Sequence, residues 1–489
     1  MDARSAHLSS QIAAARAAGL AWSGRSVRRR LRVVRRWRRL VARHGRDLAK
    51  AAEVQAGFPG EVLASEVLPV AEAMHFLERR AAGLLRPRRV GRRGLPRWMG
   101  RARLEIRREP LGVVLVIGPG NYPLFLVAVQ VVQALVAGNA VVLKPGRGGG
   151  KVARLFAELG WEAGVPRPLL LVTDESAESA EAAMDAGVDK VFLTGSAETG
   201  QAVLRRLADD LTPAVMELSG VDAVFVLPGA DLDRLGRAIR FGMRLRGSRT
   251  CIAPRRVFVP EADRQRVEAR LKAAVEDLPR VALAGAAAER ARGLVDDAVA
   301  RGARVLVGGW RDGGLAPTLL TGVPAGARLM REELLAPVAS VVAVANMDEA
   351  LELDARCPYA LGASVFGRER EAWGLARRIG AGCVQINDVI APTADPRLPF
   401  GGRGASGFGV TRGEAGLLEM TAIKAITVRR GRRPAHLEEP VPRQAELLAG
   451  YLRGVHGGRL RDRLRMGWEV VRALPGVARV WQGRRKGGG

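Results

Sequence analysis

The sequence predicts an α/β protein built on parallel, helix-covered sheets. From Gly112 onward, short apolar runs rich in β-branched residues alternate with helical patterns. The 489 residues are 48% hydrophobic, which allows two or three domains with large cores and argues against wholesale disorder. The 59 glycines suit the many tight turns of such a fold, and no internal repeat is evident.

Residues 28–55 place Leu31, Val34, Trp37 (or Val33), Leu40, Val41 and Leu48 among arginines, the spacing of an amphipathic helix. A second helical run passes through Val62, Leu63, Val67, Val70, Met74 and Leu77. Arginine, glycine and proline over 86–96 break it, and 103–107 alternates like an exposed strand. Strands are then expected at 113–117, 140–143, 169–172 and 190–193, with helices at 124–136, 152–159, 176–186 and 200–208 between and after them. A second α/β unit begins near Ala223, with strands at 256–259, 303–307, 340–345 and 363–366. Residues 399–416 form a glycine-rich return segment. Beyond Val428 a basic linker leads to helical runs at 446–451 and 460–474, the second stopped by Pro475. That run puts Leu460, Leu464, Trp468, Val471 and Leu474 on one side with arginines between, which fits a membrane-surface or lid helix and equally a helix packed on its own domain or a partner subunit.

The formal charge of +28, carried mostly by arginine, opens three partners: nucleic acid, anionic lipid or an acidic substrate. No nucleic-acid-binding signature accompanies it, and aromatic residues at 4% are too few for stacking platforms, so nucleic acid is not expected. Three cysteines cannot frame a chain this long with disulfides. The N-terminus lacks the apolar core of a signal peptide, so a cytoplasmic location is expected. The apolar region from Leu111 to Ala137 is interrupted at 118–123 and reads as strand, turn, helix rather than a membrane span. Five histidines form no ligand cluster, so no metal is expected.

Three short segments carry the chemistry. Glu217, in Val215-Met-Glu-Leu-Ser-Gly220, precedes Cys251, in Ser248-Arg-Thr-Cys-Ile-Ala-Pro254, by 34 positions (251 − 217). Asn121, in Gly118-Pro-Gly-Asn-Tyr-Pro123, precedes Glu217 by 96 (217 − 121). A thiol, a carboxylate and an amide are the parts needed to capture an aldehyde covalently, stabilise its oxyanion and hydrolyse the thioester. Taken singly each has an ordinary reading: a buried cysteine, a capping or surface carboxylate, a turn-forming asparagine. Cys383 lies in an apolar strand-like run and reads as core, and Cys357 has no motif.

At these spacings the trio resembles the aldehyde dehydrogenase superfamily, over about Arg30 to Val428. The resemblance implies that Cys251 is the nucleophile, Glu217 the general base and Asn121 an oxyanion donor alongside the backbone N–H of Cys251. It implies an NAD or NADP site. Lys144-Pro145 resembles the pair whose lysine contacts the adenosine ribose. The glutamate expected at 147 is Arg147, and a guanidinium there would favour a 2′-phosphate. Gly195, Ser196 and Gly200 match the turn that opens a helix toward the pyrophosphate. Glu333 matches the residue that binds the nicotinamide ribose, Leu335 stands where a phenylalanine packs near the ring, and Ile117 closes the strand entering the cofactor loop. Asn387 and residues 399–407 resemble the family's closing segment. Further departures are Gly120 for tryptophan, Ser219 for glycine, and Ser248-Arg249 for Gly-Gln.

The resemblance implies the aldehyde dehydrogenase fold: a Rossmann-like cofactor domain (1–87 and 109–217), an α/β catalytic domain (218–398), and bridging segments (88–108 and 399–430) forming a small β-ribbon for oligomerisation. A basic helical extension (431–489) follows. A homodimer or homotetramer and a small-molecule aldehyde substrate are expected. Two other readings stay open: an acyl-CoA reductase using the same thioester, and a non-catalytic scaffold whose basic tail binds a membrane or a partner.

Overall fold

The computed structural model describes residues 3–52, 59–91, 93–95, 102–311, 314–429 and 444–468. The chain divides into two compact units: Met1–Pro87 with Arg107–Lys424, and Arg88–Ile106 with Ala425–Gly489.

The first unit holds two large sheets. One has six strands in the order Gly407–Phe408, Ala214–Glu217, Lys190–Thr194, Val113–Ile117, Ala140–Lys144, Leu170–Val172. The five longer strands are all parallel, and only the Gly407–Phe408 edge runs antiparallel. Numbered along the chain, the parallel strands lie in the order 5-4-1-2-3, the Rossmann-type arrangement. Its direction of winding reverses between Val113–Ile117 and Lys190–Thr194, so the crevice at their carboxyl ends is where a dinucleotide sits in such folds. The loops leaving that crevice are 118–121 and 195–196.

Val113–Ile117 and Lys190–Thr194 are wholly buried, as near-continuous apolar runs in a two-sided sheet must be. The helix Phe125–Ala137 is buried at every position, which explains why its stretch resembles a membrane span in sequence. Among the described residues no helix is long and apolar enough to cross a membrane.

The amphipathic run expected at 28–55 is two helices, Val27–Arg43 and Gly45–Ala51, which meet at His44. Leu31, Val34, Trp37 and Val41 turn inward, and Val33 is buried as well, so both readings of that position are met. The Trp37 ring packs 4.4 Å from Phe156, and its indole N–H donates to the Phe156 carbonyl at 3.1 Å. The sequence reading missed the preceding helix, Ala3–Ser23, because its alanines spread apolarity around the cylinder; Trp22 anchors it by donating to Leu135 O at 2.8 Å.

The second sheet has seven strands in the order Arg304–Arg311, Gly314–Thr321, Val338–Val344, Pro254–Pro260, Asp222–Val226, Gly362–Phe366, Cys383–Ile386. All pairs except the first are parallel. Alternate residues serve its two faces: Phe225 and Phe258 join one core, while Val224, Val226, Val257 and Val259 join the other.

The strands Arg88–Val90, Ala102–Pro110 and Thr421–Arg429 form a three-stranded sheet, mostly in the second unit. These strands fall within the segments expected to bridge, and the outer one exposes Ile423 and Val428. The expected tail helix at 446–451 runs from Gln444 to His456. The second tail helix is helical over 460–468, and its continuation through Val471 and Leu474 lies outside the described residues, as does the basic linker.

Candidate active site

Cys251 sits at the end of a tightly constrained turn. The short 3-10 segment Leu245–Ser248 carries three successive left-handed residues: Arg246 (φ 54°), Gly247 (φ 63°) and Ser248 (φ 61°). Each non-glycine residue there costs about 1–2 kcal/mol of backbone strain, so the turn persists only because other groups hold it. Two buried arginines do so. The Arg255 guanidinium donates to Ser248 Oγ at 2.9 Å, Ser248 O at 2.6 Å and Ala336 O at 2.5 Å. The Arg246 guanidinium donates to Asn121 O at 2.8 Å and Glu66 Oε1 at 3.3 Å, while its backbone N–H donates to Glu61 Oε1 at 2.7 Å. Ser248 is thus tolerated in a conformation that ordinarily calls for glycine because a cation fixes both its hydroxyl and its carbonyl.

Glu66 completes this brace. It is fully buried in a single π-helical turn, Leu63–Val67, and accepts from the backbone N–H groups of Leu124 and Phe125. Burial pushes its carboxyl up to about 7, against the pull of Arg246 and those amides.

Cys251 and Glu217 line one cavity of about 470 Å³. Its walls are largely apolar and include Tyr122, Phe125, Phe241, Ile252, Ile390 and Phe400. Glu217 ends its strand, is 2% exposed, and accepts from Thr411 Oγ1 at 2.8 Å through one oxygen. Its other oxygen, Oε1, is buried without a hydrogen bond. Burial raises the Glu217 carboxyl above the ordinary carboxylate range, opposed by the Arg412 guanidinium and the Thr411 bond. Burial likewise pushes the Cys251 thiol well up, reinforced by Glu217, Asp222 and Glu333 and opposed by Arg412. A resting pair of neutral thiol and raised carboxylate suits proton transfer between them.

Arg412 was missed in the sequence. It lines the same cavity, has φ 61°, and is held by donation to Thr393 O at 2.7 Å and by the Phe400 ring 4.0 Å away. Its Nε is buried without a partner. An arginine in a glycine-rich return segment gives no warning of burial; only the fold folds it back over Glu217.

Asn121 lies in an adjoining cavity of about 550 Å³ with Gly120, Arg147, Gly148, Arg246, Arg249, Ala284 and Leu335. Its amide donates to Arg249 O at 2.7 Å, which uses one of its two N–H groups. The next residues along each segment face the Cys251 cavity: Tyr122 and Thr250 line it and share a 2.7 Å hydrogen bond. Segments 120–122 and 249–251 therefore form a wall common to both cavities. The structure brings Cys251 and Glu217 together directly and sets Asn121 on the other side of that wall.

Of the residues expected to hold the cofactor, Arg147 and Leu335 line the second cavity, and Lys144, Gly195 and Ser196 lie at the carboxyl ends of the strands Ala140–Lys144 and Lys190–Thr194. Lys144 ends its strand half-buried, and burial lowers its ammonium while Glu175 supports it. Gly120 is needed where it stands: a Cβ there would lie 2.9 Å from Arg147 O, and one on Gly146 would meet Pro119 at 2.1 Å. The loops 118–120 and 146–148 are in direct contact, which leaves no room for a tryptophan at 120. Gly200 allows the helix Ala197–Leu207 to press on Leu218, whose methyls would lie 2.9 Å from a Cβ. Gly195 meets only ordinary contacts. Ser196 caps that helix by accepting from Thr199 N at 3.2 Å, which aims the helix N-terminus at the crevice. Burial raises the Glu333 carboxyl, and the neighbouring Arg255 pulls it down. Ile117 is buried opposite Lys144 and lines neither cavity. Glu175 accepts from Gly148 N and Gly150 N, both at 2.7 Å, so a carboxylate braces the 146–150 loop from the loop that follows the neighbouring strand Leu170–Val172. Cys383 keeps its expected place in a strand, its thiol pushed up to about 12 by burial, and Cys357 is buried.

Residues 1–426 match the sequence profile of the Aldehyde dehydrogenase family. The chain belongs to that family. It is similar to the vanillin dehydrogenase of Pseudomonas fluorescens, 32% identical over 425 residues that cover 81% of this chain and 88% of the relative. Among solved structures it is similar to a Mycobacterium tuberculosis aldehyde dehydrogenase complexed with NAD+ (26% identity, TM-score 0.81, covering 88% of this chain and 91% of that one). It is also similar to the NADP-dependent glyceraldehyde-3-phosphate dehydrogenase of Bacillus halodurans C-125 complexed with NADP (28% identity, TM-score 0.80, covering 87% and 91%). The aldehyde dehydrogenase fold expected from the motifs is the fold observed, and the chain is an oxidoreductase that oxidises aldehydes with NAD or NADP.

Proposed function

We propose that this aldehyde dehydrogenase works through Cys251, Glu217 and Asn121. The observation that carries the assignment is the shared cavity: the thiol on a braced turn and the half-satisfied carboxylate open onto one apolar chamber. Glu217 accepts the thiol proton, and Cys251 Sγ forms a bond to the aldehyde carbon. The oxyanion is met by the Cys251 backbone N–H, and the second N–H of the Asn121 amide serves as a donor where the aldehyde oxygen reaches the junction of the two cavities at the 120–122/249–251 wall, one such donor being worth roughly 3 kcal/mol. A bound NAD(P)+ supplies the hydride acceptor. Loss of hydride from the thiohemiacetal leaves the thioester, and Glu217 passes the thiol proton to solvent; its Oε1, which has no protein partner, then takes a proton from the water attacking the thioester carbon, the C–S bond breaks, and the acid leaves with Cys251 as thiolate.

For the cofactor, Lys144, Arg147, Glu333 and the N-terminus of the helix after Ser196 would hold ribose and phosphates. Arg147 on the cavity wall, with the carboxylate Glu175 tied up by backbone amides, favours the 2′-phosphate of NADP. The aromatic and branched lining favours an aldehyde with an apolar body, aromatic or long-chain. The outer strand Thr421–Arg429 is the expected edge for a homodimer or homotetramer, a cytoplasmic protein is the expected setting, and the basic tail is the candidate for peripheral membrane contact.

The direct test is Cys251→Ser in the full chain, assayed by aldehyde-dependent NADPH and NADH formation over a panel of short, aromatic and long-chain aldehydes. Turnover is expected to vanish on every aldehyde. Oxidation at a rate near that of the parent protein would refute the assignment.

A further inference from the structure

The two tail helices form a hairpin in the second unit. Met466 of the 460–468 helix packs against Gly454 of the helix Gln444–His456, where even a Cβ would come within 2.3 Å of the sulfur. Packing at that seam fixes which faces turn outward. On the first helix Leu448, Leu452 and Val455 fall on one stripe, spaced i, i+4, i+7, and are 52%, 58% and 38% exposed. On the second, Leu460, Leu464 and Trp468 fall on one stripe, spaced i, i+4, i+8, and are 72%, 70% and 58% exposed. Each helix therefore carries an apolar stripe turned away from the seam and left exposed among the described residues, in helical register rather than as scattered surface residues.

The charge beside that face identifies what covers it. Over 444–468 the arginines at 453, 459, 461, 463 and 465 stand against two carboxylates, Glu446 and Asp462. At 100° per residue, Arg461 and Arg465 flank the Leu460–Leu464–Trp468 stripe on one side and Arg463 on the other, where long side chains can carry their charge outward past the buried apolar edge. A second copy of the hairpin would bring the same local excess, five arginines against two carboxylates, so pairing of this segment with itself is opposed. A surface that is apolar below and negative above fits both features at once, and tryptophan is suited to the boundary between the two.

We propose that the 444–468 hairpin is a peripheral anchor that lays its Leu448/Leu452/Val455 and Leu460/Leu464/Trp468 face into an anionic lipid bilayer, with the arginines on the headgroups. The anchor is independent of the catalytic assignment, because it rests on the second unit alone.

The test is co-sedimentation of the full-length protein with vesicles of phosphatidylcholine alone and of phosphatidylcholine mixed with phosphatidylglycerol, at low and physiological salt. The parent protein is expected to sediment with the mixed vesicles, less so as salt rises, and poorly with neutral ones. The double variant Leu452→Asp/Leu464→Asp, altered only at exposed positions, is expected to lose at least about tenfold in partition while keeping its aldehyde oxidation. Replacing Arg461 and Arg463 by Ser is expected to cost about fivefold per charge. Absence of parent binding to anionic vesicles at low salt overturns the proposal. So does unchanged binding by both variants, which would place the attraction in the overall charge. A parent oligomer that the double variant dissolves, with no vesicle binding by either, would make the face a subunit interface and overturn it equally.

Discussion

Replacing Glu217 by Gln isolates the carboxylate from its shape. The amide fits the same volume, and its oxygen can still accept from Thr411 Oγ1, so the strand end and the cavity wall keep their packing. Glu217 carries a raised carboxyl in a buried site, so removing its charge relieves desolvation rather than adding it, and the folded state is expected to hold its melting temperature. What disappears is proton transfer. A positioned general base is worth roughly 10²–10⁴-fold, or about 3–5 kcal/mol of barrier. The assay is steady-state turnover together with rapid-mixing measurement of reduced cofactor. Steady-state kcat is expected to fall by roughly 10²–10⁴-fold. As the proposed base, Glu217 acts only when deprotonated, so the parent rate is expected to climb with pH through a limb lying above the ordinary carboxylate range, and the variant to lose that limb. Turnover within a few-fold of the parent, or a rate loss matched by a collapse of the melting temperature, would refute the reasoning.

Three further outcomes follow from the same geometry. Arg147→Glu is expected to lower the NADP-to-NAD ratio of kcat/KM by about a hundredfold, from losing a charge-assisted phosphate contact worth ~3 kcal/mol, and an unchanged ratio would remove Arg147 from cofactor selection. Arg412 restrains the rise of both Glu217 and Cys251, so Arg412→Met is expected to move the acid limb of the pH profile upward, with Arg412→Lys restoring most of it; a loss of rate with an unmoved limb would leave Arg412 a structural role only. Glu66→Ala leaves the Leu124 and Phe125 amides and the buried Arg246 guanidinium without their acceptor, so unfolding titrations are expected to show a loss of about 3–5 kcal/mol, together with slowed alkylation of Cys251 as its turn loosens.

Much of this molecule is legible in its sequence, for a physical reason. Val113–Ile117, Lys190–Thr194 and Asp222–Val226 are short apolar runs between turn residues, and period and punctuation suffice to place them. Glu217 and Cys251 sit in local motifs, so they could be singled out as candidates without tertiary structure. The helix Ala3–Ser23 was not legible, since an alanine-rich stretch with a weak stripe owes its place to Trp22 reaching Leu135. Nor was the brace around the nucleophile. Glu66 to Arg246 spans 180 positions, Asn121 to Arg249 spans 128, and Arg255 reaches Ala336 across 81. Such contacts follow from how the sheets stack, and no window of sequence contains them. The departures at 120 and 248 become intelligible only with that stacking: Gly120 because Arg147 O occupies the space, Ser248 because Arg255 holds it.

The most direct measurement is peptide-level mass spectrometry of the full-length Glu217→Gln protein after mixing with an apolar aldehyde and NADP or NAD. With hydrolysis slowed, and with long mixing at raised pH so that the thiolate forms without Glu217, an acyl group is expected on the peptide containing Cys251, and none on the peptides containing Cys357 or Cys383. An acyl adduct on either of those cysteines, or continued acid production by the Cys251→Ser protein, would contradict the account.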